Sequence, residues 1–212
     1  MTTFWTNFAA KTALAAAGLT AMTGLAAAAT TATDAGNTAN PAAPVIQADK
    51  PLFGKPAPAK QDLVDAPQGA QERFNPTAEQ LDNAEQIVKA AEKEGLPERA
   101  AVIGVATSLQ ESKLVNLGHL GDRNDHDSQG LFQQRPSSGW GSVEQITDPE
   151  YSATAFYKGL KQVDGWQQMP LTQAAQTVQV SAYPDAYAQW EEMAADIVLA
   201  THDTGPYANI KK

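Results

Sequence analysis

The chain predicts a mainly α-helical domain, and three observations predict it. Apolar residues recur at helical spacing in segment after segment between Thr77 and Val198, helix-cap signatures open those segments, and no run of alternating β-branched residues competes with them. The expected organisation is an export segment over residues 1–29, a tether over 30–75 and one helical domain over 76–212. A chain of 212 residues accommodates one domain with appendages, and an apolar fraction of 42%, much of it Ala, supplies one modest core.

At the N-terminus, Lys11 precedes an apolar stretch from Thr12 to Ala29 that ends in small residues. That is the pattern of a secretory signal with cleavage near Ala29. As an uncleaved anchor the stretch is weakly hydrophobic, being built of Ala, Gly and Thr. The expectation is a secreted or wall-associated monomer with no membrane segment after cleavage. From Thr30 to about Phe74 the composition turns to Ala, Thr, Pro, Asp and Gln, with Pro41, Pro44, Pro51, Pro56, Pro58 and Pro67 spaced through it. Proline at that density supports neither a helix nor a core, so the segment reads as a disordered, stiff tether.

Order is expected to begin at Asn75-Pro-Thr77. Thr77 and Gln80 form a capping box, and Ala84, Ile87, Val88 and Ala91 then make one apolar stripe until Gly95. The segment from Glu98 to Leu109 is apolar nearly all round between Ala100 and Ala106, which predicts a helix buried on most faces and closed by Glu111. Asp148-Pro149 predicts a cap with Pro at the first helical position, leading through Ala155, Phe156 and Leu160 to Gly165. Pro170-Leu-Thr172 opens a further helix carrying Ala175 and Val178. Pro184-Asp185 opens the last, with Tyr187, Trp190, Met193, Ala194, Ile197 and Val198 as core.

Between Asn116 and Ser142 no periodicity appears, and a compact domain seldom carries so long an irregular stretch without using it. Gly118, Gly121, Gly130, Gly139 and Gly141 let its backbone turn sharply or approach a ligand closely. Asp122, Asn124, Asp125, His126 and Asp127 suggest oxygen ligands for calcium, but a helix-loop-helix register counted from Asp125 meets Gly130 at its sixth place and Pro136, not Glu, at its twelfth. The reading is therefore a turn-rich loop with no metal and no cofactor.

The net charge is −9, and it is unevenly placed: residues 1–75 hold 5 acidic and 5 basic groups, and the remaining 19 acidic and 10 basic groups lie beyond. Nucleic acid is excluded as a partner, since neutralising phosphates needs clustered Lys and Arg. Zero cysteines excludes disulfides, thiolate metal sites and cysteine nucleophiles.

Glu111 stands out against this background. A lone helix-end Glu ordinarily has no task, yet here a wholly apolar helix delivers the carboxylate to the rim of a Gly-rich, aromatic-bearing loop. Desolvation favours the protonated form, and glycosidic cleavage needs a carboxyl that protonates the leaving oxygen. Trp140, between two glycines, either stacks on a sugar face or packs against the domain, and Gln134 is a further polar groove candidate. A hydrolytic mechanism needs a second carboxylate. Asp122, Asp125 and Asp127 are the candidates, with Asp127 first because it abuts Ser128-Gln-Gly130; loop turn formation is the competing role.

These residues resemble a family. Glu111-Ser112 followed by Ser128-Gln-Gly-Leu-Phe-Gln133 is similar to the Glu-Ser and Gly-Leu-Met-Gln signatures of the soluble lytic transglycosylase and goose-type lysozyme superfamily, with Phe132 in the Met place. Ser181-Ala-Tyr183 resembles its Ala-Tyr-Asn signature. The run from about Ala101 to Glu191 resembles secreted actinobacterial lysozyme-like domains, which share the Gln-Gln-Arg-Pro, Gly-Trp-Gly and Ser-Ala-Tyr-Pro-Asp-Ala-Tyr elements.

The resemblance implies an α-helical lysozyme-like fold with a groove between two lobes. It also implies action on the linkage between N-acetylmuramic acid and N-acetylglucosamine in peptidoglycan glycan strands, either lysozyme-like or by a transglycosylase route that leaves an anhydro sugar. Glu111 would be the general acid, Ser112 part of its motif, Ser128 and Gln133 groove residues, and Tyr183 would face the carboxylate. The chain departs from the pattern at Pro184, where the family usually has Asn, and in its acidic charge. The alternative is a non-catalytic peptidoglycan-binding or extracellular interaction module that keeps the fold.

Overall fold

The computed structural model describes residues 56–65 and 67–210. The expected export segment and the tether as far as residue 55 lie outside the described residues. Among those described, the chain is mainly helical and has no strand, its only β pairing being one antiparallel bridge between Gln129 and Gln134. The α-helices are α1 (Lys60–Leu63), α2 (Ala78–Lys93), α3 (Glu98–Ser112), α4 (Val143–Ile146), α5 (Pro149–Leu160), α6 (Leu171–Gln179) and α7 (Glu191–Ala200). None of them is long and apolar enough to cross a membrane.

Helix α3 is the centre of the domain. Every residue from Ala100 to Leu109 is buried, and α2, α5, α6 and α7 all pack against it. A helix with no polar stripe has nowhere else to go, so the others are arranged by which face of α3 they cover. The approach is closest at Gly104, where an added Cβ would stand 2.3 Å from the Tyr157 hydroxyl. Tyr157 is wholly buried and donates from Oη to the Ile87 carbonyl at 3.2 Å, tying α5 to α2 across α3. Burial pushes its phenol far above the usual range, so it remains a donor.

The capping signatures behave as the sequence predicts at two helices. Thr77 Oγ1 accepts from Gln80 N, and Gln80 Oε1 accepts from Thr77 N. Asp148 Oδ1 accepts from Tyr151 N at 2.7 Å, with Pro149 at the first helical position. A second capping box, Ser142 with Gln145, opens the short α4, which follows the irregular stretch and has no counterpart among the expected helices. Helix α5 ends at Leu160 rather than running to Gly165, and the buried Trp166 lies in the 3-10 turn that follows.

Two differences from the sequence expectation are larger. The last helix begins at Glu191, not near Pro184. The Gln176 side chain brackets Ser181, donating to its carbonyl at 2.7 Å and accepting from its N–H at 3.1 Å, while Thr172 Oγ1 donates to the Pro184 carbonyl at 2.7 Å. Pinned to α6 in this way, residues 181–187 form turns instead of a helical start.

The packed part of the chain also begins before Asn75. Leu63 is buried, Phe74 meets Trp190 edge to face at 6.1 Å, and the Glu72 N–H donates to the Gln189 carbonyl at 2.8 Å. The anchor is electrostatic: Asp196, 3% exposed, receives Arg73 Nη1 at 2.5 Å and Lys60 Nζ at 2.8 Å. Proline spacing concealed this strap because its hold comes from individual side chains rather than from a periodic face.

Two predictions follow from the packing. Gly104→Ala forces a Cβ into Tyr157 and should cost about 1–3 kcal/mol, whereas Gly118→Ala, which meets nothing within 4 Å, should change stability by less than about 0.5 kcal/mol. Urea or thermal unfolding of the two variants reads the difference, and equal stabilities would contradict the close approach. A chain beginning at Asn75 leaves Asp196 buried without Lys60 and Arg73. It should melt about 10 °C or more below the chain that keeps the strap.

Candidate active site at the end of the central helix

Helix α3 stops abruptly because two successive residues adopt the left-handed conformation, Lys113 at φ 56° and Leu114 at φ 62°. Leu114 N–H donates to the Ser108 carbonyl six residues back at 3.4 Å, and Lys113 N–H to the Leu109 carbonyl at 3.2 Å, closing a left-handed helix end in which glycine would normally occupy the first position. Helix α2 secures the exposed carbonyls: Gln80 Nε2 donates to Lys113 O at 2.7 Å and Asn83 Nδ2 to Leu114 O at 2.9 Å. Glu111 therefore sits in the final turn of a helix whose end is clamped from outside.

The Glu111 residue is 4% exposed. Its Oε1 accepts from Tyr187 Oη at 2.8 Å and from Gln179 Nε2 at 3.1 Å. Burial first, and then the Glu111 charge, push the Tyr187 phenol far above its usual range, and Ser181 also hydrogen-bonds to it. Gln179 uses the same nitrogen to donate to the Phe132 carbonyl at 3.0 Å. One amide thus joins the carboxylate to the loop that follows it.

That loop is a buried hairpin. Gly130, at φ 78°, could not be another residue, since a Cβ would lie 2.0 Å from the Ile146 carbonyl oxygen. Ser112 Oγ donates to Leu131 O at 2.9 Å, and Phe132 stacks on Phe156 with ring centroids 5.1 Å apart. Gln133 Nε2 donates to Gly130 O and Gln134 Nε2 to Ser152 O, each at 3.0 Å. Ser128 is fully buried, and neither its Oγ nor the buried Gln134 Oε1 has a hydrogen-bond partner.

The residues singled out in the sequence accordingly divide. Glu111, Ser112 and the Ser128–Gln134 hairpin are brought together. Within the hairpin, however, Ser128, Gln133 and Gln134 are buried, and the two glutamine amides are spent on backbone carbonyls. Trp140 is half-buried beyond the Pro136–Ser138 turn, its N–H donating to Arg135 O at 3.4 Å. Tyr183 is 37% exposed and lines an open groove of about 590 Å³ with Gln68, Pro184, Asp185 and Gln189. The phenol that donates to Glu111 is that of Tyr187, four residues on.

Both carboxylate oxygens of Asp127 are engaged within the loop. Its Oδ1 accepts from Arg135 Nε and Ser137 Oγ, and its Oδ2 from Ser137 N, all at 2.8 Å. Desolvation raises its carboxyl, but the Arg135 bond and the two Ser137 bonds outweigh it and hold Asp127 at about 2. Nearby, Asp125 pairs with His126 at 2.8 Å, and the Asn124 amide ties to Leu120, His126 and Ser128. Among the described residues no group of three His, Asp or Glu side chains is placed to hold a metal.

Two partners of Glu111 escaped the sequence reading. Tyr187 was assigned to a core helix. Gln179 had a usable signal: with Leu171, Ala174, Ala175 and Val178 it falls at the i, i+3, i+4, i+7, i+8 positions of α6, a polar residue on the core-facing stripe. Beside them, Trp190 Nε1 and Gln189 Nε2 both donate to Gln110 Oε1 at 2.9 Å, and Lys113 Nζ lies 3.8 Å from the Trp190 ring centroid. No family model matches the chain, and no curated protein matches it by sequence.

The Asp127 clamp has a pH signature. Its folded carboxyl, at about 2, lies below the value of about 3.9 for an unfolded Asp, so its contribution is complete above about pH 4 and is lost as the pH falls through about 2. The stability difference between wild type and Asp127→Asn should shrink over that interval in denaturant titrations. A gap that stays constant from pH 7 to pH 2 would refute the clamp.

Proposed function

We propose that this is a secreted lysozyme-like domain that cleaves the linkage between N-acetylmuramic acid and N-acetylglucosamine in peptidoglycan, with Glu111 as general acid. The observation that carries the reading is the Glu111 carboxyl itself, buried at the end of an apolar helix and held on one oxygen by two neutral donors, Tyr187 and Gln179. A carboxyl oriented by neutral groups can exchange a proton with a substrate oxygen without first breaking an ion pair with either of them. The ordered signatures Glu111-Ser112, Ser128 to Gln133 and Ser181 to Tyr183 support the same reading from the sequence.

Two chemistries start from that acid. In both, the Glu111 proton passes to the glycosidic oxygen as the bond to the muramoyl C1 breaks, releasing the N-acetylglucosamine 4-hydroxyl. In a hydrolase a second carboxylate then assists water or forms a covalent intermediate. In a transglycosylase the Glu111 carboxylate takes the proton of the muramoyl 6-hydroxyl, whose oxygen closes on C1 to give the 1,6-anhydro sugar. The commitment of Asp127 to Arg135 and Ser137 favours the second route, since the nearest acid in sequence to the hairpin is already used. Neither route calls on a metal or cofactor. The groove beside Tyr183 favours a contact with the glycan strand by stacking and hydrogen bonding.

Zymography of the purified chain on peptidoglycan should show clearing that Glu111→Gln reduces at least about a thousandfold, and mass spectrometry of the products should find anhydro ends. Reducing ends would point instead to hydrolysis. Retention on insoluble peptidoglycan without cleavage, unchanged by Glu111→Gln and weakened by Tyr183→Ala, would replace the enzyme reading with that of a wall-binding module.

A further inference from the structure

Resting on the glycosidase reading, we propose that Gln179 is a positioning residue that dictates which oxygen of Glu111 carries the acid's proton. The argument is one of donors and acceptors. The amide nitrogen of Gln179 has two N–H groups and accepts nothing; one goes to Glu111 Oε1 at 3.1 Å and the other to Phe132 O at 3.0 Å. Rotating the amide by half a turn would aim its oxygen at the Phe132 carbonyl, which is an acceptor only. The orientation is therefore set by a backbone atom.

Glu111 Oε1 must then accept at that contact in either protonation state, and the proton of the neutral acid resides on Oε2. Tyr187 alone would not enforce this, because a hydroxyl can turn to accept from a protonated Oε1. Gln179 is 5% exposed, and the chain leaves it through Val180 at φ 49°, a conformation disfavoured for a β-branched residue. The Gln176 bonds to Ser181 hold that turn in place. The hairpin carbonyl, the amide and the acid form one relay, so docking of the Ser128–Gln134 hairpin fixes the direction from which the proton is delivered.

The test uses the full chain with Gln179→Met, which keeps volume and removes both donors, and isosteric Gln179→Glu, with folding checked by circular dichroism and thermal unfolding. The readouts are kcat and KM on peptidoglycan glycan strands across pH, and the Glu111 side-chain carboxyl signal by 13C NMR. For folded Gln179→Met the expected result is kcat lowered about 10- to 100-fold with KM within about 2-fold, and a Glu111 carboxyl signal displaced from that of wild type. Gln179→Glu, which replaces the donating amide with an acceptor, should displace the same signal and lower kcat by a similar factor. A Glu111 carboxyl signal unmoved in either folded variant overturns the proposal even if wild type cleaves glycan. Wild type that cleaves nothing, with the carboxyl signal moved as expected, overturns the glycosidase reading and leaves the proton placement standing.

Discussion

A carboxyl taken almost wholly out of water must be hydrogen-bonded, and in this domain that requirement falls on Glu111 at the end of the central helix, as it does on Asp196 and Glu191 in the last one. Both donors come from far along the chain, eight residues apart. Gln179 arrives from the C-terminal end of α6 and Tyr187 from the turns before α7. Gln179 is the last residue of α6, and Tyr187 reaches Glu111 because the chain from residue 181 to 187 turns back along that helix. The Gln176, Thr172 and Pro184 contacts that prevent an early start for α7 are therefore part of how Glu111 is solvated by protein.

Backbone strain collects at the same place. Lys113 follows Glu111 by two residues, Gln133 follows Phe132, and Val180 follows Gln179; all three take positive φ without being glycine. Conformations of this kind cost about 1–3 kcal/mol each and persist where surrounding structure over-determines them. Here the over-determination is visible residue by residue: Gln80 and Asn83 on the turn after α3, Ser112 and Gln179 on the hairpin, Gln176 on the end of α6. Three chain reversals gather around one carboxyl, bound by side chains from α2, α3 and α6.

The helices were legible because their signals are local and periodic. The Thr77 box, the Asp148-Pro149 start and the apolar circumference of α3 each follow from a few neighbouring residues. The strap was not legible, since Leu63, Arg73 and Phe74 act through partners more than a hundred residues away in α7 and the turn before it. The site was legible in part. Glu111 announced itself as the polar end of an apolar helix, but its tyrosine partner was sought in the motif at Tyr183, and only the turns of residues 183–187 carry Tyr187 inward instead. Ser128 and Gln133 were expected in the groove from the motif resemblance, and Gln134 as a polar side chain in a Gly-rich loop, yet all three are buried. Gly130 permits this by letting the hairpin sink against Ile146.

Charge bears on what kind of recognition such a site can use. The described cations are largely engaged within the fold: Lys60 and Arg73 on Asp196, Arg99 on Asp65, Arg135 on Asp127, Lys161 on Glu94, Lys93 on Glu150 and Lys89 on Glu85. With a net charge of −9 the excess is acidic, so a polyanionic partner would be held off rather than drawn in. Attraction at long range is then not available to bring a wall polymer to the proposed site. On the proposed reading, binding would come from contacts made at close quarters, by uncharged groups such as the Tyr183 ring and the Gln68 amide along the open groove. Affinity for neutral sugar faces built this way would vary little with ionic strength, and that insensitivity is the physical counterpart of an acid whose own two identified donors are uncharged.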